Sequence, residues 1–134
     1  MMTDPEATGR RILAAQPFNA LLGTELLSMG DGRVEFRLPL TDQLTQHHGF
    51  AHGGLLAYLA DMALSYAGGQ DLGDCVTVEF KINYLRPGKG KALIARGETL
   101  SAGRSQSVAR AEIFAVSGDV TKLVAAAQGT LARV

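Results

Sequence analysis

The chain has 134 residues, enough to bury one sizeable core and too few for two ordinary domains. Apolar residues make up 46% of it and charged residues 19%, which excludes a disordered, highly charged chain. Thirteen Lys and Arg balance thirteen Asp and Glu, so there is no global positive field for a nucleic-acid backbone, and no nucleic-acid partner is expected.

Met1 to Arg11 carries Asp4, Pro5 and Glu6 where a secretion signal would place a basic and then an apolar stretch, so a cytoplasmic protein is expected. Residues 1–20 read as a leading helical segment. Ile12, Leu13, Gln16 and Ala20 lie near helical spacing, and Pro17 must end or bend the helix. Two strand-like runs, Thr24 to Ser28 and Arg33 to Leu38, flank Met29-Gly30-Asp31-Gly32, a turn sequence suited to a hairpin. Thr41 to Ala51 lacks periodicity and reads as a polar loop.

Gly53 to Ala67 is rich in leucine and alanine and stops at Gly68-Gly69, which predicts a helix. Its apolar residues occupy every side, so the helix is expected to be buried all round. The apolar stretch Leu55 to Ala67 is broken by Asp61 and falls short of the roughly 20 residues of a membrane span, so no membrane partner is expected. Cys75 is the single cysteine, which excludes an internal disulfide and paired zinc or redox motifs. From there Val76, Val78, Phe80, Ile82 and Tyr84 alternate with Thr77, Glu79, Lys81 and Asn83, a long strand with the first set facing the core. Pro87-Gly88-Lys89-Gly90, Ser101-Ala102-Gly103 and Ser117-Gly118-Asp119 then separate three further runs ending at Val134. Four consecutive strands with short turns predict an antiparallel meander. The whole, residues 1–134, reads as one α+β domain of five or six strands around a central helix.

Asp61 is the only carboxylate in a helix otherwise built for burial, and an unpaired buried charge is costly, so it needs partners or a chemical role. His52-Gly53-Gly54 opens the same helix, where unpaired amides and the positive end of the dipole gather. Glycines there leave room for an acyl oxygen to approach the amides, as an oxyanion hole requires. Gly54 and Asp61 share a helix face but stand about 10.5 Å apart along the axis, so one helix cannot bring both to one carbonyl. An isologous dimer with antiparallel helices can, which predicts active sites shared between subunits. His48 and His52 are four residues apart, but Gly49 argues for a loop between them, and no metal is expected. Arg86, Lys89, Lys91 and Arg104 lie at turns and suit either phosphate contacts or an ordinary solvated surface.

The segment His52-Gly53-Gly54-Leu55-Leu56-Ala57-Tyr58-Leu59-Ala60-Asp61-Met62-Ala63 resembles the signature of hotdog-fold acyl-CoA thioesterases of the phenylacetic-acid-degradation (PaaI-like) type. Thr77 to Gly88, ending in Arg86-Pro87-Gly88, is similar to that family's following strand, and Ala126 to Thr130 to its closing strand. The resemblance implies a hotdog fold, an antiparallel sheet wrapped around a long helix, with subunits joined edge to edge as a homodimer and often as a homotetramer. It implies an acyl-CoA substrate, with Asp61 as general base or nucleophile and the Gly53 amide, or that of Gly54, polarising the thioester. It gives His52 the placing of the acyl group or leaving sulfur, Gln46 the holding of a carbonyl or water, and Thr77 a place near the attacking water. The strand's alternation sets Thr77 opposite Val76 and Val78, so that role calls for a position at a dimer interface.

Tyr58, Arg86, Pro87, Gly88 and Arg104 would bind substrate, the arginines near the nucleotide phosphates. No cofactor is expected, because a thioester is already activated. Two other readings remain: a noncatalytic acyl-CoA binding module, which would gain nothing from Asp61, and a 3-hydroxyacyl thioester dehydratase or hydratase pairing His47 with Asp61.

Overall fold

The computed structural model describes residues 3–134; Met1 and Met2 of the leading segment lie outside the described residues. The leading segment is two helices, α1 (Pro5–Ala15) and α2 (Pro17–Leu22). Asp4 caps α1 by accepting the Ala7 N–H at 3.1 Å. Gln16 is extended (φ −96°, ψ 109°), the conformation that a following proline imposes, and this separates the two helices. Strands β1 (Glu25–Gly30) and β2 (Arg33–Pro39) form the expected hairpin. Asp31 and Gly32 both take positive φ (53° and 72°), as a two-residue turn of matching twist demands.

Residues 41–51 form a loop with one 3-10 turn, Asp42–Leu44, and lead into α3 (Gly53–Gly68). Strands β3 (Cys75–Tyr84), β4 (Ala92–Ala102), β5 (Gln106–Ser117) and β6 (Val120–Arg133) follow. All six strands join one antiparallel sheet in the order β1-β2-β4-β5-β6-β3. Helix α3 packs on one face, with Leu59, Ala63 and Leu64 among Phe36, Leu38, Leu93, Ile113 and Leu131, all fully buried. Helix and sheet meet at backbone distance over Gly97, where a Cβ would stand 2.3 Å from the Ala63 carbonyl oxygen. No helix among the described residues is long and apolar enough to cross a membrane.

Three expectations are corrected. The last four strands are not a meander, because β3 pairs with β6 while β4 pairs with β2. The cause lies in residues 85–91, which do not turn back beside β3. Leu85 and Arg86 donate to the Val124 carbonyl (2.8 and 3.3 Å) and Lys91 to that of Val116 (2.9 Å), so the segment crosses the ends of β6 and β5.

Nor is α3 buried all round. Its sheet covers one side, and Gly54, Ala57, Tyr58, Asp61 and Ser65, spaced at helical repeats, form a stripe that stays partly or fully exposed.

The third correction concerns β3, where an extra residue sits between Thr77, opposite Leu131, and Glu79, opposite Thr130. This bulge exchanges the two faces. Cys75 and Thr77 face α3 before it and Phe80 and Ile82 pack against the core after it, while Val76 and Val78 are each 54% exposed. β3 is also the end of the sheet, so these valines lie along an edge with no partner strand among the described residues.

Candidate active site

The site begins at the N-terminus of α3. His52 is extended (φ −60°, ψ 137°) and caps the helix, its Nδ1 accepting the Gly54 N–H at 2.8 Å. An imidazole that accepts at Nδ1 carries its proton on Nε2, so His52 presents a donor outward. The cap also separates the two glycines. The Gly54 amide is taken by His52, and those of Leu55 and Leu56 by the His52 carbonyl (2.9 and 3.3 Å), whereas the Gly53 N–H has no acceptor among the described residues. Sequence reasoning left Gly53 and Gly54 equivalent; the geometry leaves Gly53 as the unengaged donor. The Tyr84 hydroxyl donates to the Gly53 carbonyl at 3.2 Å and holds this turn against β3.

Two turns along, Asp61 stands on the open stripe. The Thr77 hydroxyl donates to its Oδ1 at 2.6 Å, a bond that exists because the β3 bulge turns Thr77 inward. Oδ2 has no donor among the described residues. Cys75 lies on the same stretch of β3. Burial pushes its thiol pKa up, and the carboxylates of Asp74 and Asp61 add to this. Gln46, Gly53, Tyr84, Arg86, Pro87 and Gly88 line one cleft of about 350 Å³. Gly88 ties the segments together by accepting the Ala51 N–H (2.9 Å). Gln46 Oε1 accepts the His48 N–H within the loop, which leaves the Gln46 amide nitrogen as the donor available to a ligand.

Tyr58 lies on the stripe between Gly54 and Asp61, with Phe18 edge-on to its ring at 5.3 Å. Its hydroxyl is tied to Asn19 and to Thr24 (2.7 Å), and Tyr66 donates to Gln16 at 2.8 Å. Burial raises the pKa of Tyr58, and burial with the neighbouring Tyr58 pushes Tyr66 up to about 12. Sequence reasoning missed this network, because a buried asparagine between Phe18 and Ala20 leaves no pattern in the residue order.

Two predicted groupings do not form within the chain. Asp61 and the Gly53 amide remain two helical turns apart, as the spacing required. Arg104 lies in the turn between β4 and β5, at the opposite end of the eleven-residue β4 from Arg86, Lys89 and Lys91, so it belongs to no common basic cluster with them. The rings of His47 and His48 lie tilted against each other (centroids 4.0 Å apart) in the loop while His52 caps α3, and no group of three metal-ligating side chains occurs among the described residues.

A family model described as the thioesterase superfamily matches residues 48–122, just over half of the chain and all of α3 and β3. The chain belongs to the thioesterase superfamily. This thioesterase is 33% identical over 93 residues to the acyl-coenzyme A thioesterase PaaI of Escherichia coli, across 69% of this chain and 66% of that protein. A solved thioesterase family protein from Silicibacter pomeroyi matches it with a TM-score of 0.89 at 35% identity, covering 92% of this chain and 93% of the other. The structure of the E. coli PaaI protein from the phenylacetic acid degradation operon matches with a TM-score of 0.82 at 29% identity, over 93% and 89% of the two chains. The fold is that of the hotdog thioesterases.

Proposed function

We propose that this thioesterase hydrolyses acyl-CoA with an aromatic or short- to medium-chain acyl group, at sites shared between two copies of the chain. The observation that carries the reading is the Asp61 carboxylate on the open face of α3, one oxygen oriented by Thr77 and the other without a donor among the described residues. The likeness to PaaI supports CoA as the leaving group.

In the reaction the thioester oxygen rests on the Gly53 N–H at the positive end of α3, where charge on that oxygen is stabilised. Asp61 takes a proton from water as its oxygen bonds to the carbonyl carbon. The C–S bond then breaks and the thiolate leaves as CoA, with the His52 Nε2–H as donor beside it. Direct attack by Asp61, with water opening the resulting anhydride, balances equally. The Gln46 amide nitrogen holds the carbonyl or the water. Tyr58 lines the acyl side, the Gly54 amide fixes His52, and Arg86, Pro87 and Gly88 flank the path of the CoA arm. A thioester needs no cofactor for this chemistry.

The second copy joins along β3, where Val76 and Val78 lie on an unpaired edge, and with antiparallel α3 helices it supplies Asp61 to the Gly53 of its neighbour. Pairing of two such dimers makes a homotetramer, with residues 1–134 acting as one thioesterase domain in each subunit. A single cysteine suits a reducing, cytoplasmic setting.

Complementation tests this reading. Gly53→Pro removes the amide donor at the first helical position, where proline is tolerated and where the extended His52 already suits it. Asp61→Asn removes the base. Each variant alone is expected to be inactive, while mixed dimers reassembled from the two contain one site with both groups and recover turnover. Failure of mixed dimers to recover any turnover contradicts a shared site.

A further inference from the structure

The open stripe of α3 is bounded differently on its two sides. Strand β3 is one end of the sheet, and β1, which follows α2 in the chain, is the other. On the β3 side stand the hydroxyls of Thr77 and Tyr84, bonded to Asp61 and to the Gly53 carbonyl. On the β1 side stands Tyr58, its hydroxyl held by Asn19 of α2 and by Thr24 (2.7 Å), with Phe18 edge-on to its ring. Asn19 is 3% exposed and is fixed in turn, its amide donating to Gln16 Oε1 at 2.5 Å.

Behind these side chains, between α1, α2 and β1, lies a cavity of about 560 Å³ for which the proposed chemistry has no use. Asn19 and Thr24 line it and Tyr58 does not, so this pair, with the tyrosine bonded to it, forms a partition between stripe and cavity. Leu13, Ala20, Leu26 and Leu27 make much of the remaining wall aliphatic. The two charged residues of the lining are already engaged: Arg10 donates to the Leu26 carbonyl and to Glu6 (2.8 Å each), and Glu25 accepts from Arg37 (2.8 Å). Such a hollow suits hydrocarbon.

The direction of an acyl chain follows from the same geometry. Residues 86–88, the proposed path of the CoA arm, share a cleft with Gly53 and Tyr84 on the β3 side. An acyl group with its carbonyl carbon at Asp61 then extends away from β3, toward Tyr58, which is three residues back and about 4.5 Å along the helix axis. The chain meets the tyrosine ring within one helical turn, and the ring is held at its hydroxyl and braced on its flank.

We infer that Tyr58, locked by Asn19 and Thr24, sets the acyl-length limit of this enzyme and bars extended chains from the aliphatic cavity behind it. The inference rests on the thioesterase reading and narrows it, assigning the upper bound on acyl size to one side chain and its hydrogen bonds. A methylene that a pocket cannot house costs about tenfold or more in kcat/KM. Cutting back the partition joins the stripe to the cavity, where the tail of a long chain is buried among Leu13, Leu26 and Leu27.

The test measures kcat/KM over straight-chain acyl-CoAs from butanoyl to dodecanoyl. The wild type is expected to favour butanoyl- over dodecanoyl-CoA. In Tyr58→Ala/Asn19→Ala, where the second replacement removes an amide that would lose its partner, the dodecanoyl-to-butanoyl ratio rises roughly tenfold or more. Ala20→Trp, which fills the cavity from α2, leaves the wild-type profile as it is and returns the ratio of the double variant toward the wild-type value. Where the double variant does not fold, Tyr58→Leu is expected to raise the ratio in the same direction. A wild type that accepts both chains equally, or a ratio unaltered by cutting back Tyr58, overturns the limit while leaving hydrolysis intact. A raised ratio that Ala20→Trp does not lower overturns the role of the cavity. Butyl- and dodecyl-CoA thioethers, titrated calorimetrically, judge the limit without turnover. Dodecyl-CoA that binds more tightly to the double variant than to the wild type supports it even if no thioester is cleaved, and equal binding to both refutes it.

Discussion

Replacing Thr77 with valine keeps a β-branched side chain of nearly the same shape in β3 and removes one atom's function, the hydroxyl that donates to Asp61 Oδ1 at 2.6 Å. A hydrogen bond to a charged group contributes about 1.5–3 kcal/mol. In this thioesterase the bond fixes the rotamer of the carboxylate. If its full worth is felt when Asp61 meets water or the carbonyl carbon, kcat falls roughly 10- to 100-fold. The substrate contacts proposed above lie elsewhere, at the start of α3 and along residues 86–88, so KM is expected to stay within about threefold. Steady-state release of CoA thiol, measured with a chromogenic disulfide, gives both constants. Thr77→Ser restores the donor and is expected to recover most of kcat, which separates the lost hydroxyl from any disturbance of the bulge. A Thr77→Val enzyme with kcat within twofold of the wild type would refute the assignment and leave the Thr77–Asp61 bond a structural one.

Val76→Asp/Val78→Asp places two like charges on the exposed β3 edge; sedimentation is expected to show monomer and the thiol assay no turnover, whereas an active monomer contradicts the shared site. Tyr66 is 7% exposed, with its pKa pushed up to about 12, so an unfolded chain releases that proton first, near pH 10, and binds fewer protons than the native chain. Stability is therefore expected to hold below pH 10 and to fall by roughly 2–3 kcal/mol between pH 10 and 12. Urea titrations should show a shallower fall in Tyr66→Phe, with Tyr58 accounting for part of what remains. Gly90→Ala forces a Cβ against the Val116 carbonyl oxygen at positive φ and is expected to cost about 1–3 kcal/mol, read as a lowered urea midpoint.

Much of this architecture can be read from the residue order, and the exceptions have physical causes. The leucine- and alanine-rich run ending at Gly68-Gly69 specifies α3 because propensity, length and terminator agree. The turn at Asp31-Gly32 specifies the hairpin for the same reason. Strand β3 defeats a period-two reading because one inserted residue reverses every side chain beyond it, and nothing in Val76-Thr77-Val78-Glu79 marks the insertion. The bulge also removes the conflict over Thr77, which faces α3 within its own chain. The pairing of β3 with β6 escapes detection because Pro87-Gly88-Lys89-Gly90 has the composition of a tight turn and the geometry of a crossing. In the site, Asp61 and Gly53 stand out as residues at odds with a buried helix. The separate roles proposed for them rest on hydrogen bonds, His52 with Gly54 and Thr77 with Asp61, that link residues by conformation and not by spacing.

The most direct measurement is release of free thiol from aromatic, short-, medium- and long-chain acyl-CoAs by the wild type and by Asp61→Asn. Turnover of at least one acyl-CoA by the wild type, reduced by three or more orders of magnitude in Asp61→Asn while the fold persists, is the expected result. Near-normal turnover in Asp61→Asn would contradict the catalytic role of the carboxylate. Binding of acyl-CoA without hydrolysis by the wild type would make the protein a carrier of thioesters and leave Asp61 without a chemical task.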